Sequence, residues 1–256
     1  IPEILAIFFC FFMQQPNVKP ATGRLAILTP GMGAVSTTFM AGVIAARTGV
    51  AKPIGSLTEM GYIRLGKRTE QRHSLIREFL PFARLEDIVF GGWDIFPDNA
   101  YEAALKAGVL EKDLLEKVRP ELQAITPFKA VFDRSFVRNL EGKNTVQAST
   151  KMDQAERITK TIENFQKANR CSRLVMIWCG STEVYHQVKP VHQSLAAFER
   201  GLKENDPAIA PSMIYAYAAL KRRIPYANGA PNLTTDTPAL LELAQENRVP
   251  VSGKEA

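Results

Sequence analysis

The sequence predicts an α/β protein with a Rossmann-like, doubly wound and mainly parallel sheet that carries helices on both faces. Short apolar strands alternate with loops that contain Gly, Asn, Thr or Asp, and each loop leads into a helix. This pattern occurs at four places, in residues 25–33, 88–95, 174–183 and 225–234. Because parallel sheets bind ligands at the carboxyl ends of their strands, we expect the four loops to converge on one nucleotide-binding crevice.

Composition limits the class of protein. A chain of 256 residues can bury a large core, and 46% hydrophobic with 23% charged residues is ordinary for a globular protein. The net charge of +6 fits a phosphorylated substrate or simply a solvated surface; since the basic residues are scattered apart from residues 221–223, we expect no nucleic-acid partner. The odd number of cysteines (Cys10, Cys171 and Cys179) favours a reducing, cytoplasmic compartment. No Cys-x-x-Cys pair occurs, and we expect no metal site.

An unbroken apolar run of ten residues, 4–13, lies near the N-terminus. It is shorter than the roughly 20 residues that span a bilayer, so we expect no membrane partner. It also lacks the basic flank and the small-residue cleavage site of a signal peptide. Residues 1–17 are therefore set apart as an apolar tail, which is either a buried strand or an upstream extension.

The elements follow one another along the chain in βα order. Strands are predicted where short apolar runs precede a turn, at residues 25–28, 88–90, 174–178 and 226–227. Helices are predicted from helical spacing of apolar residues, at residues 35–46, 70–80, 100–107, 152–169, 194–203, 211–220 and 237–246. Gly108 has the position of a helix C-cap. Residues 114–125 are left unassigned because of Pro120 and Pro127, and residues 137–148 are predicted to be an exposed connection.

The first loop has the composition of a phosphate-binding turn. Gly31, Met32, Gly33 and Ala34 lie between a strand and a helix. Glycines allow the backbone to approach a pyrophosphate closely, and the helix N-terminus supplies free N–H groups. Ser36 stands where the third glycine of a Gly-x-Gly-x-x-Gly turn is usual, so an ordinary turn with two glycines is the alternative.

The second loop places an acidic residue at the end of a strand. Asp94 follows Trp93 and a pair of glycines. Such a carboxylate can accept hydrogen bonds from both ribose hydroxyls of NAD, and it repels the 2′-phosphate of NADP. It is equally suited to cap the following helix, and the sequence leaves these two roles open.

The third and fourth loops combine small residues with hydroxyl and amide groups. Cys179, Gly180 and Ser181 allow close backbone contact with a ligand. Cys179 has no evident histidine partner, which favours a packed thiol over a nucleophile. In the fourth loop, the side-chain amides of Asn228 and Asn232 either contact a cofactor or only hold the loop itself.

Four segments together resemble the inositol-3-phosphate synthase (myo-inositol-1-phosphate synthase) family: residues 91–95, 178–183, 209–212 and 226–234. They occur in the order of that family and at plausible spacing. Ser181 stands where Asn is usual in the eukaryotic branch, and the glycine loop is poorer in Gly and Asn. The chain therefore resembles the prokaryotic branch.

The resemblance implies an NAD-dependent isomerase that converts D-glucose 6-phosphate to 1D-myo-inositol 3-phosphate. The family's reaction proceeds by oxidation, enolisation, intramolecular aldol cyclisation and reduction, with NAD bound throughout. The family also implies a cytoplasmic homotetramer, so the expected partners are glucose 6-phosphate and further copies of the chain.

The resemblance also assigns site residues. It implies that Gly31 and Gly33 face the pyrophosphate and that Asp94 faces the adenosine ribose. The loop at Cys179 lines the crevice, and the loop at Gly229 closes over the cofactor. The candidate cofactor-binding residues are Gly31, Met32, Gly33, Ala34, Trp93, Asp94, Cys179, Gly180, Ser181, Asn228, Gly229 and Ala230.

The resemblance divides the chain into an NAD-binding domain, residues 18–252, and the first residues of a catalytic domain, 253–256. Glu255 stands at the Asp position of a Gly-x-Asp motif that begins there in the family. The family's catalytic lysines are expected beyond Ala256, so we expect none in this chain and an NAD site without catalytic residues. Two alternatives are an NAD-dependent dehydrogenase of a phosphorylated polyol, for which the sequence shows no convincing proton relay, and a non-catalytic nucleotide-binding module.

Overall fold

The computed structural model describes residues 22–253, which divide into two compact units. The larger unit comprises residues 23–53 and 84–253. The smaller unit comprises residue 22 and residues 54–83. The candidate site lies entirely within the larger unit.

Some of the sequence-based predictions fall outside these residues. The apolar tail 1–17, the domain start at residue 18 and the segment 254–256 are not among the residues that the structure describes. The expected position of the catalytic lysines, beyond Ala256, also lies outside the described residues and stays a prediction. Within residues 22–253, no helix is both long enough and apolar enough to cross a membrane.

The described elements are short strands joined mainly through helices. The strands are β1 (Arg24–Pro30), β2 (Tyr62–Arg64), β3 (His73–Leu75), β4 (Ile88–Asp94), β5 (Phe128–Lys129), β6 (Cys171–Trp178), β7 (Tyr226–Asn228) and β8 (Val251–Ser252). The α-helices are α1 (Ala34–Arg47), α2 (Leu57–Met60), α3 (Ile76–Phe79), α4 (Ala100–Ala107), α5 (Lys112–Gln123), α6 (Lys151–Asn169), α7 (Leu195–Glu204), α8 (Pro211–Lys221) and α9 (Pro238–Asn247).

Six strands of the larger unit form one parallel sheet in the order β5-β4-β1-β6-β7-β8. The chain proceeds outward from β1 to β4 and β5, and then crosses back to begin the other half at β6. The strand order therefore reverses between β1 and β6, which is where doubly wound sheets bind their ligands. This topology confirms the predicted Rossmann-like α/β fold.

The two faces of the sheet carry separate hydrophobic cores. Ala26 and Leu28 of β1 belong to one core and Ile27 to the other, because successive side chains of a strand point to opposite faces. Helices α6 to α9 complete the first core, and α1, α4 and α5 complete the second. Helices therefore cover both faces, as predicted.

Helix α8 is buried on every side. All of its residues from Pro211 to Leu220 are buried, because the segment is apolar around its whole circumference. Pro211 occupies its first turn, where the missing N–H costs no hydrogen bond. This helix begins beside the carboxyl end of β6, and its N-terminus becomes part of the candidate site.

Local signals fix the ends of the helices around the second loop. The Asn99 side chain accepts hydrogen bonds from the N–H groups of Tyr101 and Glu102, and the Glu102 carboxylate accepts one from the N–H of Asn99. Gly108 ends α4 with a φ of 64°, which confirms the predicted C-cap. The unassigned residues 114–125 lie largely in α5, which contains Pro120 in its last turn.

The smaller unit corrects one prediction. Residues 70–80 are predicted as a helix, but β3 pairs antiparallel with β2, and only the single turn of α3 is α-helical. Gln71 adopts a left-handed conformation with a φ of 46°, which a continuous helix does not allow. Pairing with another strand therefore overrides the helical spacing of the apolar residues.

Candidate functional site

The carboxyl ends of β1, β4 and β6 meet at a cleft of about 280 Å³. Seven of the candidate cofactor-binding residues line this cleft: Gly31, Gly33, Trp93, Asp94, Cys179, Gly180 and Ser181. Three of the four predicted loops therefore converge at the point where the strand order reverses.

The other five candidates lie near the cleft without lining it. Met32 is buried beneath the first turn, and Ala34 is exposed at the start of α1. Asn228, the last residue of β7, and Ala230 are buried, with Gly229 exposed between them. Contact between these five residues and a cofactor stays a prediction.

Gly31 brings the first and third loops together. It has a φ of 89°, and its N–H donates to the Trp93 carbonyl oxygen at 2.8 Å. A Cβ atom at this position would lie 2.4 Å from the backbone N and Cα of Gly180. A Cβ at Gly33, in contrast, would meet no atom within 4 Å. The open side of the turn, which a ligand can approach, is therefore at Gly33.

The N-terminus of α1 has no side-chain cap. Gly33 is the N-cap residue, and the first turn contains no acidic residue. The Ser36 hydroxyl donates to the Gly31 carbonyl oxygen at 2.5 Å, and the Thr37 hydroxyl donates to that of Gly33 at 2.9 Å. Ser36, in the place of the third glycine, thus stabilises the turn. An uncapped helix N-terminus beside a cleft favours an anionic ligand.

Asp94 connects the first two loops. One carboxylate oxygen accepts the N–H of Met32 at 2.7 Å, and the other accepts the N–H of Phe96 at 3.0 Å. Helix α4 is capped by Asn99 instead, so the helix-cap alternative for Asp94 is wrong. Each carboxylate oxygen accepts one of these hydrogen bonds and can accept a further one, and Asp94 lines the cleft, which fits ribose binding.

Cys179 lies in the cleft wall as a neutral thiol. Its N–H donates to the Pro30 carbonyl oxygen at 2.9 Å, and burial raises the pKa of its thiol. A raised pKa disfavours the thiolate that a nucleophile requires. The packed-thiol interpretation therefore fits the structure.

Three buried residues that touch one another, of which Glu183 lines the cleft, carry chemistry that the sequence motifs do not reveal. The buried Glu183 carboxylate accepts the N–H of Ser212 at 2.8 Å and the Ser212 hydroxyl at 2.5 Å. The Thr234 hydroxyl lies 2.5 Å from the Ser212 hydroxyl. Burial raises the pKa of Glu183 to about 7. These residues lie in three of the segments that carry the family resemblance, 178–183, 209–212 and 226–234, but their contact depends on the tertiary fold.

The fourth loop is held partly by its own amides. The Asn228 amide donates to the Asn232 carbonyl oxygen at 3.0 Å, and the Asn232 side-chain oxygen accepts the N–H of Glu183 at 2.8 Å. The remaining amide atoms, Asn228 Oδ1 and Asn232 Nδ2, are buried and have no hydrogen-bond partner within residues 22–253. The two side-chain amides therefore do hold the loop, and their two unpartnered atoms can still bond a ligand.

Most of the buried side-chain polar atoms without a partner within residues 22–253 lie at this edge of the sheet; the exceptions are the Nε atoms of Arg173 and Arg222. Of the neutral side chains in the described part of the chain, those with such an atom are Thr29, Trp178, Asn228 and Asn232. All four lie at or just beyond the carboxyl ends of β1, β6 and β7. Buried polar groups normally have partners, so this concentration indicates a place for a polar ligand or ordered water. No group of residues suited to a metal ion occurs between residues 22 and 253.

Comparison with known proteins agrees with this geometry. The family model of the NAD-binding region of myo-inositol-1-phosphate synthase matches residues 25–256. Inositol-3-phosphate synthase 1 of Bacteroides thetaiotaomicron is 47% identical over 94% of this chain and 56% of its own length. The synthase of Mesembryanthemum crystallinum is 32% identical over 90% of this chain and 48% of its own length.

A crystal structure of inositol-3-phosphate synthase from Caenorhabditis elegans superposes with a TM-score of 0.83 at 25% identity. The alignment covers 93% of this chain and 49% of that protein. The chain thus spans about half the length of the relatives that it matches. It belongs to the inositol-3-phosphate synthase family and carries the NAD-binding region of that family.

Proposed function

We propose that the cleft binds NAD and that this chain supplies the NAD site of an inositol-3-phosphate synthase. The observation that carries the proposal is the meeting of the uncapped α1 N-terminus and the Asp94 carboxylate in one cleft, in a chain of this family. The likeness to synthases favours this function over a polyol dehydrogenase or a non-catalytic nucleotide-binding module.

The residues present fit a dinucleotide. The open side of Gly33 and the free N–H groups of α1 suit a pyrophosphate, and the lone pairs of Asp94 suit the adenosine ribose. The partnerless polar atoms of Trp178 and Asn228 lie on the other side of β1, toward the second half of the sheet. We assign that half to the nicotinamide nucleotide.

In the whole protein we propose isomerisation of D-glucose 6-phosphate to 1D-myo-inositol 3-phosphate. Bound NAD supplies a hydride acceptor that returns the hydride within one turnover, so the reaction has no net redox change. This chain's residues bind the cofactor and orient it across the place between β1 and β6 where the strand order reverses. They also exclude water from the cleft. Residues that contact the sugar phosphate are expected in the half of the relatives that this chain does not match, as is a homotetrameric assembly.

Calorimetric titration with NAD and NADP tests the site. We expect NAD to bind more tightly, because the Asp94 carboxylate repels a 2′-phosphate. Asp94→Asn should lower the affinity for NAD about tenfold and remove the preference, since it exchanges charge-assisted hydrogen bonds for neutral ones.

A matched control is Asp98→Asn, which removes a partly buried carboxylate that pairs with Lys106 outside the cleft. It should leave both affinities unchanged. Equal affinity for NAD and NADP would contradict the ribose role, and absence of binding by a folded sample would contradict the NAD site.

A further inference from the structure

Glu183 lines the cleft, and its buried carboxyl group lies against the N-terminus of α8. Its oxygens accept the N–H of Ser212 at 2.8 Å and the Ser212 hydroxyl at 2.5 Å. Because a helix N-terminus carries a partial positive charge, this position favours the ionised carboxylate. Burial acts in the opposite direction and favours the neutral acid.

The hydrogen bonds of Glu183 continue into a short chain of hydroxyl groups. The Ser212 hydroxyl lies 2.5 Å from that of Thr234, and both residues are fully buried. When Glu183 is ionised, Ser212 can donate to it and Thr234 can donate to Ser212. When Glu183 is protonated, the donors of both bonds can reverse. The chain therefore accommodates either protonation state without movement of its heavy atoms.

The groups around Glu183 act on its pKa in opposite directions. Burial raises its pKa, the Ser212 hydrogen bonds lower it, Asp133 raises it and Lys151 lowers it, with a result of about 7. Tyr226 of β7 also faces this group, and burial raises the pKa of its phenol, so it stays neutral. A positive charge placed in the cleft therefore favours the carboxylate form of Glu183.

Glu183 belongs to the half of the sheet that begins with β6. In doubly wound sheets the two halves each bind one nucleotide of a dinucleotide, and the glycine turn belongs to the first half. The nicotinamide nucleotide therefore approaches the loop after β6, to which Ser181 and Glu183 contribute cleft-lining groups. The oxidised nicotinamide ring carries a positive charge, and the reduced ring carries none.

We propose that Glu183, Ser212 and Thr234 form a proton-holding chain that distinguishes the oxidised from the reduced dinucleotide. The positive ring of NAD⁺ favours the carboxylate, so that the Glu183 proton leaves to solvent as NAD⁺ binds. The neutral ring of NADH leaves the proton in place. This inference rests on the proposed NAD site. Glu183 acts on the bound cofactor through the electrostatic field of the cleft and takes no part in making or breaking its bonds.

The test is calorimetric titration of the protein with NAD⁺ and with NADH at pH 7, in two buffers that differ in ionisation enthalpy. The difference in heat gives the number of protons exchanged on binding. We expect NAD⁺ to release a fraction of one proton and NADH to release almost none. The ratio of the affinities, NAD⁺ over NADH, should rise roughly fivefold between pH 5 and pH 8.

Two variants and a control test whether the proton released on binding of NAD⁺ comes from Glu183. Glu183→Gln retains the shape of the protonated acid, so it should bind both cofactors without proton release. Ser212→Ala retains the carboxyl group but removes a donor to it, so the pH of greatest release should move upward. Glu199→Gln removes a carboxylate of α7 that bonds Tyr217 and Lys221, outside the cleft, and it should behave as the unaltered protein does.

The possible results separate this inference from the proposed function. Equal proton release with NAD⁺ and NADH, or undiminished release in Glu183→Gln, would overturn the proton-holding chain and leave the NAD site intact. If Glu183→Gln does not fold, the pH dependence of the affinity ratio in the unaltered protein decides, and a ratio independent of pH overturns the inference. Failure of a folded sample to bind either cofactor would overturn both.

Discussion

Gly31 and Gly33 stand two positions apart in one turn, yet their surroundings differ. Gly31 combines a φ of 89° with a close approach to the Gly180 backbone, whereas Gly33 has an extended conformation and open space where a Cβ would lie. The first glycine therefore serves the contact between two loops, and the second leaves access to the helix N-terminus.

Alanine at each glycine should separate these roles. Gly31→Ala should lower the free energy of unfolding by about 3 kcal/mol, because strained backbone and overpacking act together. Gly33→Ala should cost less than about 1 kcal/mol, the usual effect at an N-cap position. Urea denaturation measures both values, and an equal loss in the two variants would contradict the assignment.

The sequence predicts a site residue when its role depends only on its neighbours along the chain. Gly31 and Asp94 stand out because a turn between a strand and a helix has a recognisable composition. Glu183, Ser212 and Thr234 come from three separate segments, and no spacing in the sequence indicates that they touch. Their grouping depends on where α8 and the loop after β7 lie in the folded chain.

At the level of elements, prediction succeeded where an apolar pattern and a terminal signal agree. The strands at residues 88–90 and 174–178 are present in longer form, and α4 ends at Gly108 as its sequence indicates. The two-residue strands β5 and β8 were not predicted, because so short a segment has no period. The helix predicted at residues 70–80 is wrong because pairing between β2 and β3 competes with it.

The N-terminal cap of α4, in which Asn99 and Glu102 bond each other's backbone N–H groups, can be tested for its contribution to stability. Asn99→Ala should lower the free energy of unfolding by about 1 kcal/mol, because two N–H groups of the first turn lose their acceptor. Glu111 occupies the same position at the start of α5 but makes no side-chain cap, so Glu111→Ala should have almost no effect. A similar loss in both variants, measured by thermal unfolding, would contradict this role of Asn99.

For the whole molecule, the free energy of unfolding should depend on pH through two buried groups, Glu183 and His192, whose pKa values are shifted in opposite directions. Burial raises the pKa of Glu183 to about 7 from 4.5, so the folded state binds more protons between these values. The free energy of unfolding contributed by Glu183 therefore falls as pH rises from 4.5 to 7, by up to about 3 kcal/mol. Burial lowers the pKa of His192, so its contribution falls as pH decreases below about 6.5.

Comparison with Glu183→Gln isolates the carboxyl contribution, because the His192 contribution is common to both proteins. The stability of the unaltered protein minus that of the variant should decrease as pH rises from 4.5 to 7 and then level off. Chemical denaturation at several pH values measures this difference. A difference that does not change with pH would show that Glu183 has the same pKa in the folded and unfolded chains.

The central position of β1 has a consequence for synthesis of the chain. Of the sheet strands within residues 22–253, β1 is the first to leave the ribosome, but its two neighbours are β4 and β6. The Arg173 side chain, which bonds the Gly23 carbonyl oxygen, follows 150 residues later. At roughly 5–20 residues per second, one edge of β1 stays unpaired for about 8–30 s. Nascent chains should therefore engage chaperones until β6 has emerged, and a translational pause before β6 would lengthen that period.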